Sequence, residues 1–435
     1  MPGFSALGLT ATIAATVLLT AMSVEPATAV ETVSIYGSWS GLQATAMQQE
    51  LDQEFPAGSG IQVRYTPLAN FDSSIGVVLK SNAKPNLVLW DEPENLDANS
   101  SALVPLNQVL GSAGVAASKH TLAYGWDKVA IANGRLFGLP VAASPKDLVF
   151  ASASALKAQG LKLPQNDGQL QSIEASIVKS AAAWPWCFGL EAGSATGYPI
   201  DEWMKAYVLR LGGAGKYDAW LHGTLTWNKG VVTAAGNRVS QTLLAPGMVM
   251  GGGSGAAVRN FGSATASGLF ANGKAAGQCM YLLGSLSSLA TMPANVQQEI
   301  ASGKSTSIKV FQLPTPVGGT PATLVSGVLA SVAVNTPGTA KVAKYLMGDR
   351  FGSHVLARQG WIFNPHYNFP VSTYPGALRQ AVAAILYSSR SIGFDEVLRT
   401  PDKATGVIWS NLSQWVEGKI TMVKAFSTID SMYRG

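Results

Sequence analysis

The sequence predicts an α/β protein built as two lobes. Three observations carry that prediction. The chain has 435 residues, 47% of them hydrophobic, which is more than one ordinary core takes up. Residues 32–90 alternate strand-like and helix-like patterns in the order β-α-β-α-β, which winds a parallel sheet with helices. Two later runs, 141–147 and 324–334, are placed and patterned to cross between lobes.

Each element follows from its pattern. Thr32-Val33-Ser34-Ile35-Tyr36 alternates like a strand. The next five residues, 37–41, make a turn that exposes an aromatic, Trp39. Leu42, Ala46, Met47, Leu51 and Phe55 have helical spacing. Residues 61–65 alternate again, 71–79 form a second helix, and Leu87-Val88-Leu89-Trp90 is an apolar strand ending at Asp91-Glu92-Pro93. Ligands of such sheets sit beyond the carboxyl ends of strands, so Trp39, Trp90, Asp91 and Glu92 should converge. Residues 135–140 are a further strand, and 152–180 read as loosely patterned helix. A helix should end at Gly212-Gly213, while the glycine-rich 247–257 and the segment 311–319 read as loops. Helices are expected at 340–347, 352–359, 374–387, 404–417 and 420–433.

The most distinctive stretch is 184–203, with three tryptophans (Trp184, Trp186, Trp203) in twenty residues. Cys187-Phe188-Gly189-Leu190 reads as a buried strand. Glu191 to Gly197 is a small-residue turn whose backbone a ligand could approach closely. Pro199 opens a helix carrying Trp203. Together these would floor a site for a polyhydroxylated ligand. Taken alone, the stretch reads first as a core strand and a packing helix.

Composition excludes several classes. Charged residues are 13% of the chain, against an average near ~25%. The formal charge of +5 reflects scarce acids rather than basic runs, and no Lys/Arg cluster suggests nucleic acid. Residues 4–22 are apolar and small, and Ala27-Thr28-Ala29 is an A-x-A site, so residues 1–29 read as a secretory signal peptide. It departs from the usual pattern in having no Lys or Arg before the apolar run. With no cysteine at the cleavage site, the expectation is a soluble periplasmic protein without a lipid anchor. Cys187 and Cys279, the two cysteines, are either one disulfide or two buried thiols; export favours the disulfide.

Motifs of catalysis are near misses. Gly268 to Ala275 approaches a phosphate-binding loop but has Ala275 where Ser or Thr is needed. Ser254 resembles a nucleophile elbow, with Ala256 in place of the second glycine. His120, His222, His354 and His366 lack metal-ligand spacing, so no metal and no cofactor are expected. Asp91, Glu92, Glu191, Asp201, Glu202 and Asp395 could supply a glycosidase's carboxylate pair, although such acids more often bond hydroxyls or lie at the surface.

Seven segments resemble one family: 32–41, 86–96, 134–150, 185–203, the Asn260-Phe261-Gly262 triplet, 278–286 and 406–419. The chain is similar, over nearly its whole mature length, to the extracellular solute-binding proteins of carbohydrate ABC transporters, the maltose-binding type (family 1). The alpha-glucoside-binding branch is the nearest in pattern, and segment 185–203 is the most specific mark. The resemblance implies a type II periplasmic binding protein fold, two hinged α/β lobes that close over a sugar without reacting with it. It implies an N-terminal lobe of 30–141 plus 328–365 and a C-terminal lobe of 142–327 plus 366–435. It implies a monomer that delivers its ligand to membrane permeases.

Carried onto this sequence, the resemblance implies ligand contacts from Trp39, Trp90, Asp91, Glu92, Ser144, Lys146, Glu191, Thr196, Trp203, Tyr281, Asp395 and Trp409. It also implies a Cys187–Cys279 bridge. Tryptophan would stack on the C–H face of a sugar ring, and carboxylates and lysine would bond its hydroxyls. Two departures concern acids: Val328 and Leu398 stand where the branch has carboxylates. They imply a ligand that is smaller, differently linked or more weakly held. Each residue alone has a plainer reading. Trp39 and Trp90 could cap the sheet, Trp409 could pack with Ile408, Leu412 and Trp415, Lys146 could be a surface charge, and Asp395 could cap a helix. A secreted glycosidase, a lectin-like protein and a degenerate sensory module are the alternative functions.

Overall fold

Alternation along the first strand becomes burial: Val33 and Ile35 are fully buried, while their neighbours are partly or largely open. The same period buries Ile61, Val63 and Tyr65. The computed structural model describes residues 30–304, 306–395 and 402–432. The expected signal peptide and Leu398 lie outside the described residues.

The strands are β1 (Glu31–Gly37), β2 (Ile61–Pro67), β3 (Leu87–Trp90), β4 (Ile131–Ala132), β5 (Arg135–Leu136), β6 (Gly138–Pro145), β7 (Leu148–Ser152), β8 (Trp184–Trp186), β9 (Cys279–Gly284), β10 (Ile308–Gln312), β11 (Thr323–Val332) and β12 (Ile392–Phe394). One sheet runs β12-β11-β3-β1-β2, with β6 also paired to β11. Here β1 lies parallel to β2, with Val33 opposite Val63, and parallel to β3, with Ile35 opposite Leu87. A second sheet runs β10-β7-β9-β8. The molecule is thus two-lobed α/β, each lobe with a helix-wrapped sheet; the first of its two cores also takes one face of the second sheet, through Leu148, Phe150, Leu282 and Ile308. Strands β6 and β11 run antiparallel side by side, with an irregularity in register between Val328 and Leu329. Each is joined in sequence to the second sheet, β6 through β7 and β11 through β10.

A buried ion pair secures this junction. Asp147, between β6 and β7, meets Arg210 of helix Tyr198–Leu221 at 2.7 Å, and both side chains are fully buried. Asp147 also accepts a hydrogen bond from the Leu324 amide at 2.8 Å, and Arg210 Nε donates to the Leu313 carbonyl at 2.7 Å. One helix, β11 and the segments that follow β6 and β10 are therefore registered to one charge pair. Cys187 and Cys279 form a disulfide that spans 92 residues of sequence and joins the segment after β8 to the start of β9. A closed loop of that length stabilises by about 4–5 kcal/mol in the chain-entropy model.

Several local expectations need correction. Gly213 leaves helical geometry (φ 71°, ψ 170°), but helix resumes beyond it, so the run Tyr198–Leu221 is kinked rather than ended. Residues 187–190 are buried without being a strand; β8 stops at Trp186. The glycine-rich loop contains a short helix, Gly252–Ala257, entered through the left-handed Gly251 (φ 74°). Residues 352–359 are consecutive turns rather than a helix. The cause is Glu50, fully buried on helix Gly41–Glu54, whose carboxylate accepts the amides of Gly352 (3.0 Å), Val355 (2.5 Å) and Leu356 (3.1 Å). Those amides bond the charge instead of carbonyls four residues back, and Gly352 at φ 86° is itself non-helical.

The second core holds an acid with a measurable signature. Glu174 on helix Asp167–Ser180 accepts the Trp186 Nε1 proton at 2.8 Å. Burial pushes its carboxyl up to about 7, against the pull of the Trp186 hydrogen bond and Arg238; Asp167 adds to the rise. A raised folded-state value favours the native state while the group is protonated. That contribution is complete below the ordinary value near 4.5 and is lost as pH climbs through about 7. Urea unfolding at pH 5 and pH 8 should show the wild type losing about 2–4 kcal/mol more than Glu174→Gln.

Candidate functional site

The site begins where the parallel strands end. Past β1, the Tyr65 hydroxyl donates to the Trp39 carbonyl at 3.0 Å, and the two rings lie 6.4 Å apart. Trp39 is consequently held with only 7% of its surface open, a correction to the exposed aromatic expected there. Past β3, Asp91 accepts a hydrogen bond from Ser38. Trp39, Gln43, Asp91 and Glu92 form one wall of a cleft of about 450 Å³. Ala142, Ala143 and Ser144 of β6 face Ser326, Gly327 and Val328 of β11 across its base.

The opposite wall is Lys146, Tyr198, Lys205, Asp395 and Trp409, with Trp361 and Ile362 at one side. Its charges form one network. Lys146 Nζ lies 2.8 Å from Glu202, 3.3 Å from Asp395 and 2.8 Å from the Tyr198 hydroxyl. Lys205 Nζ lies 2.8 Å from Asp395 and 3.2 Å from Asp201, and Trp409 Nε1 donates to Asp201 at 3.3 Å. The Tyr198 hydroxyl also donates to Glu202. Burial draws both lysines down, but the facing acids outweigh it and hold them well above the usual amine range. Burial likewise opposes ionisation of Asp395, and Lys205 with Lys146 overcomes it, so that carboxyl sits below its usual value. Two ammoniums against Asp201, Glu202 and Asp395 leave the wall rich in fixed hydrogen-bonding groups.

Across the cleft, no cation among the described residues pairs with the acids. Burial raises Asp91, partly offset by the Ser38 hydrogen bond. Burial, with Glu94, Asp395, Asp91 and Asp72 nearby, pushes Glu92 up to about 7. The cleft can therefore accept hydrogen bonds from hydroxyls on one wall and both donate and accept on the other.

Seven expected contacts meet in this cleft: Trp39, Asp91, Glu92, Ser144, Lys146, Asp395 and Trp409. Five do not. Trp90 is fully buried; its Nε1 donates to Ser331 at 2.7 Å and its ring packs edge-on to Phe71. Trp203 packs against Trp186 at 4.8 Å, and Tyr281 lies between Trp186 and Phe311. These three rings are core. Glu191 accepts from Gly193 at 3.0 Å and Asn260 at 2.7 Å, and Thr196 donates to the Gly193 carbonyl at 2.8 Å. Both shape the signature turn rather than the cleft.

Sequence reasoning missed Tyr198, Lys205, Gln43 and Trp361. Tyr198 had a signal, since it sits inside the distinctive stretch and four residues before Glu202. Its ring is braced edge-on by Phe261 at 5.9 Å and Trp409 at 6.1 Å, which explains the Asn260-Phe261-Gly262 mark. Trp361 was one of eleven tryptophans with no local pattern to single it out.

Gly197 lets the last aromatic reach the cleft. At φ 101°, an added Cβ would lie 2.5 Å from the Trp409 carbonyl oxygen and 2.7 Å from its Cβ. Gly197→Ala should push helix Asp402–Val416 outward and weaken ligand binding about tenfold or more, read by calorimetric titration.

The fold is that of the two-lobed solute-binding proteins of carbohydrate ABC transporters, the maltose-binding type. No family model matches the chain. The chain is 27% identical over 394 residues to the osmoprotective compounds-binding protein GgtB of Synechocystis sp., covering 89% of each. It is 23% identical over 402 residues to the alpha-glucosides-binding periplasmic protein AglE of Rhizobium meliloti, covering 89% of this chain and 84% of AglE. Both relatives are named as binding proteins. Among solved structures, the bacterial solute receptor AcbH, described as exclusively preferring β-D-galactopyranose, superposes with a TM-score of 0.74 at 15% identity. That match covers 93% of this chain and 97% of AcbH.

Proposed function

We propose that this protein is the substrate-binding component of an ABC sugar importer. It holds an alpha-glucoside or a related sugar or osmolyte in the inter-lobe cleft and passes it unchanged to membrane permeases. One observation carries the reading: Trp39, Trp361 and Trp409 line the same cleft as Asp91, Glu92, Lys146 and Asp395. Indole faces suit the apolar side of a pyranose, and the acids and lysine suit its hydroxyls. The relatives named for glucosides and osmoprotective compounds support that ligand class.

Val328 presents an apolar side chain at the cleft base, so a ligand hydroxyl there finds no carboxylate. The ligand is therefore one with few hydroxyls directed at β11. Residues 30–141 with 328–365, and 142–327 with 366–435, are the lobes that close on it. Closure requires that the ligand bind the closed form more tightly than the open one. The protein acts as a monomer in the periplasm, and no described helix is long and apolar enough to cross a membrane.

Incubation with an alpha-glucoside panel tests the reading. At least one compound should raise the melting temperature and be recovered intact. Release of free monosaccharide would support the glycosidase alternative instead.

A further inference from the structure

A second cavity of about 570 Å³ opens beside the cleft and shares Ala143, Ser144, Trp361 and Ile362 with it. The two volumes meet around Trp361, which is 40% exposed. Most of the second wall is apolar, from Leu286, Leu289, Ala290 and Ile300. Among the described residues one cation faces it: Arg379, on helix Gly376–Ser388.

Nothing among the described residues explains that charge. Among the described residues no hydrogen bond or ion pair to Arg379 is found, and its Nε is buried without a partner. Every other buried or half-buried cation of the site, Lys146 and Lys205, meets two acids. Arg379 also stands in the first turns of its helix, where the backbone dipole disfavours a cation and no acid of the first turn offsets it. Burial accordingly draws its guanidinium below the usual range.

The backbone makes room for it. Gly360 has φ 75°, and a Cβ there would lie 2.4 Å from Arg379 Nε and 2.9 Å from Cζ. The guanidinium thus occupies the space a side chain at 360 would fill, next to Trp361. An unpaired, partly dehydrated guanidinium at the wall of a cavity is a strong bidentate donor for an anion. The main cleft, by contrast, carries Asp91, Glu92 and Asp395 and repels one.

Resting on the sugar-binding reading above, we propose that the second cavity is a subsite for a negatively charged substituent of the ligand. The sugar ring lies in the acidic cleft, and its carboxylate or phosphate ester passes Trp361 to reach Arg379. The ligand class is then an anionic glycoside rather than a neutral oligosaccharide.

Calorimetric titration of the full mature chain tests this with three probes: a neutral alpha-linked disaccharide, its uronate counterpart and its phosphate ester. The expected result is that at least one anionic probe binds ten or more times more tightly than the neutral one, which also tells carboxylate from phosphate. That ratio should shrink as salt rises from 50 to 500 mM. It should fall to about one in Arg379→Gln and recover in part in Arg379→Lys. Equal binding of all three probes by the wild type, or a ratio that survives Arg379→Gln, overturns the subsite and leaves the sugar-binding reading standing. Failure of every probe to bind overturns both.

Discussion

Trp409→Ala is expected to raise the dissociation constant for a bound glycoside about 30- to 150-fold. The ring lines the cleft from helix Asp402–Val416 and is fixed on two sides, by the Nε1 hydrogen bond to Asp201 at 3.3 Å and by Tyr198 at 6.1 Å. A stacking surface already held in place costs the ligand little ordering, so its removal should cost about 2–3 kcal/mol. Trp409→Phe keeps a stacking face but loses the donor to Asp201. That acid retains Lys205 at 3.2 Å, so the loss should be under about tenfold. Titration calorimetry measures both. Unchanged denaturant midpoints for the two variants would place the effect in binding rather than folding.

Arg210→Met should cost about 3–5 kcal/mol of stability, since it strands the Asp147 carboxylate in a fully buried site. Asp147 would still accept the Leu324 amide, which cannot neutralise it. Replacing both, as Asp147→Leu with Arg210→Met, removes the stranded charge. It also deprives the Leu324 N–H and the Leu313 carbonyl of their partners, each worth about 1–3 kcal/mol. The double variant should therefore recover only part of the loss. Urea unfolding of the two variants and the wild type reads the comparison, and equal stability of Arg210→Met and wild type would refute the account of the junction.

The opening of the chain was legible because its periods are local. Alternation in 31–37 and 61–67, and helical spacing in 42–55, report one buried face each, and the first sheet follows. Depth was less legible. Helix Tyr198–Leu221 is buried on nearly all sides, so no apolar stripe separated Trp203, which enters the core, from Tyr198, which faces the cleft. Trp90 ends a strand as expected, but its side chain falls on the core side of the pleat, while the next residue, Asp91, turns to the cleft. Residues 352–359 looked helical because the group that reshapes them, Glu50, is some 300 positions away. The pairing of Lys146 and Lys205 with Asp395 is equally non-local and left no trace in spacing.

A sugar held between Trp39 and Trp409 at the junction of the two lobes is the arrangement on which the proposed function depends. The most direct measurement is a crystal structure grown with a glycoside that calorimetry shows to saturate the protein. A pyranose ring is expected in the cleft, its C–H face on indole and its hydroxyls on Asp91, Lys146 or Asp395, with every glycosidic bond intact. A ring bound elsewhere on the molecule, or a cleaved one in the cleft, would contradict it.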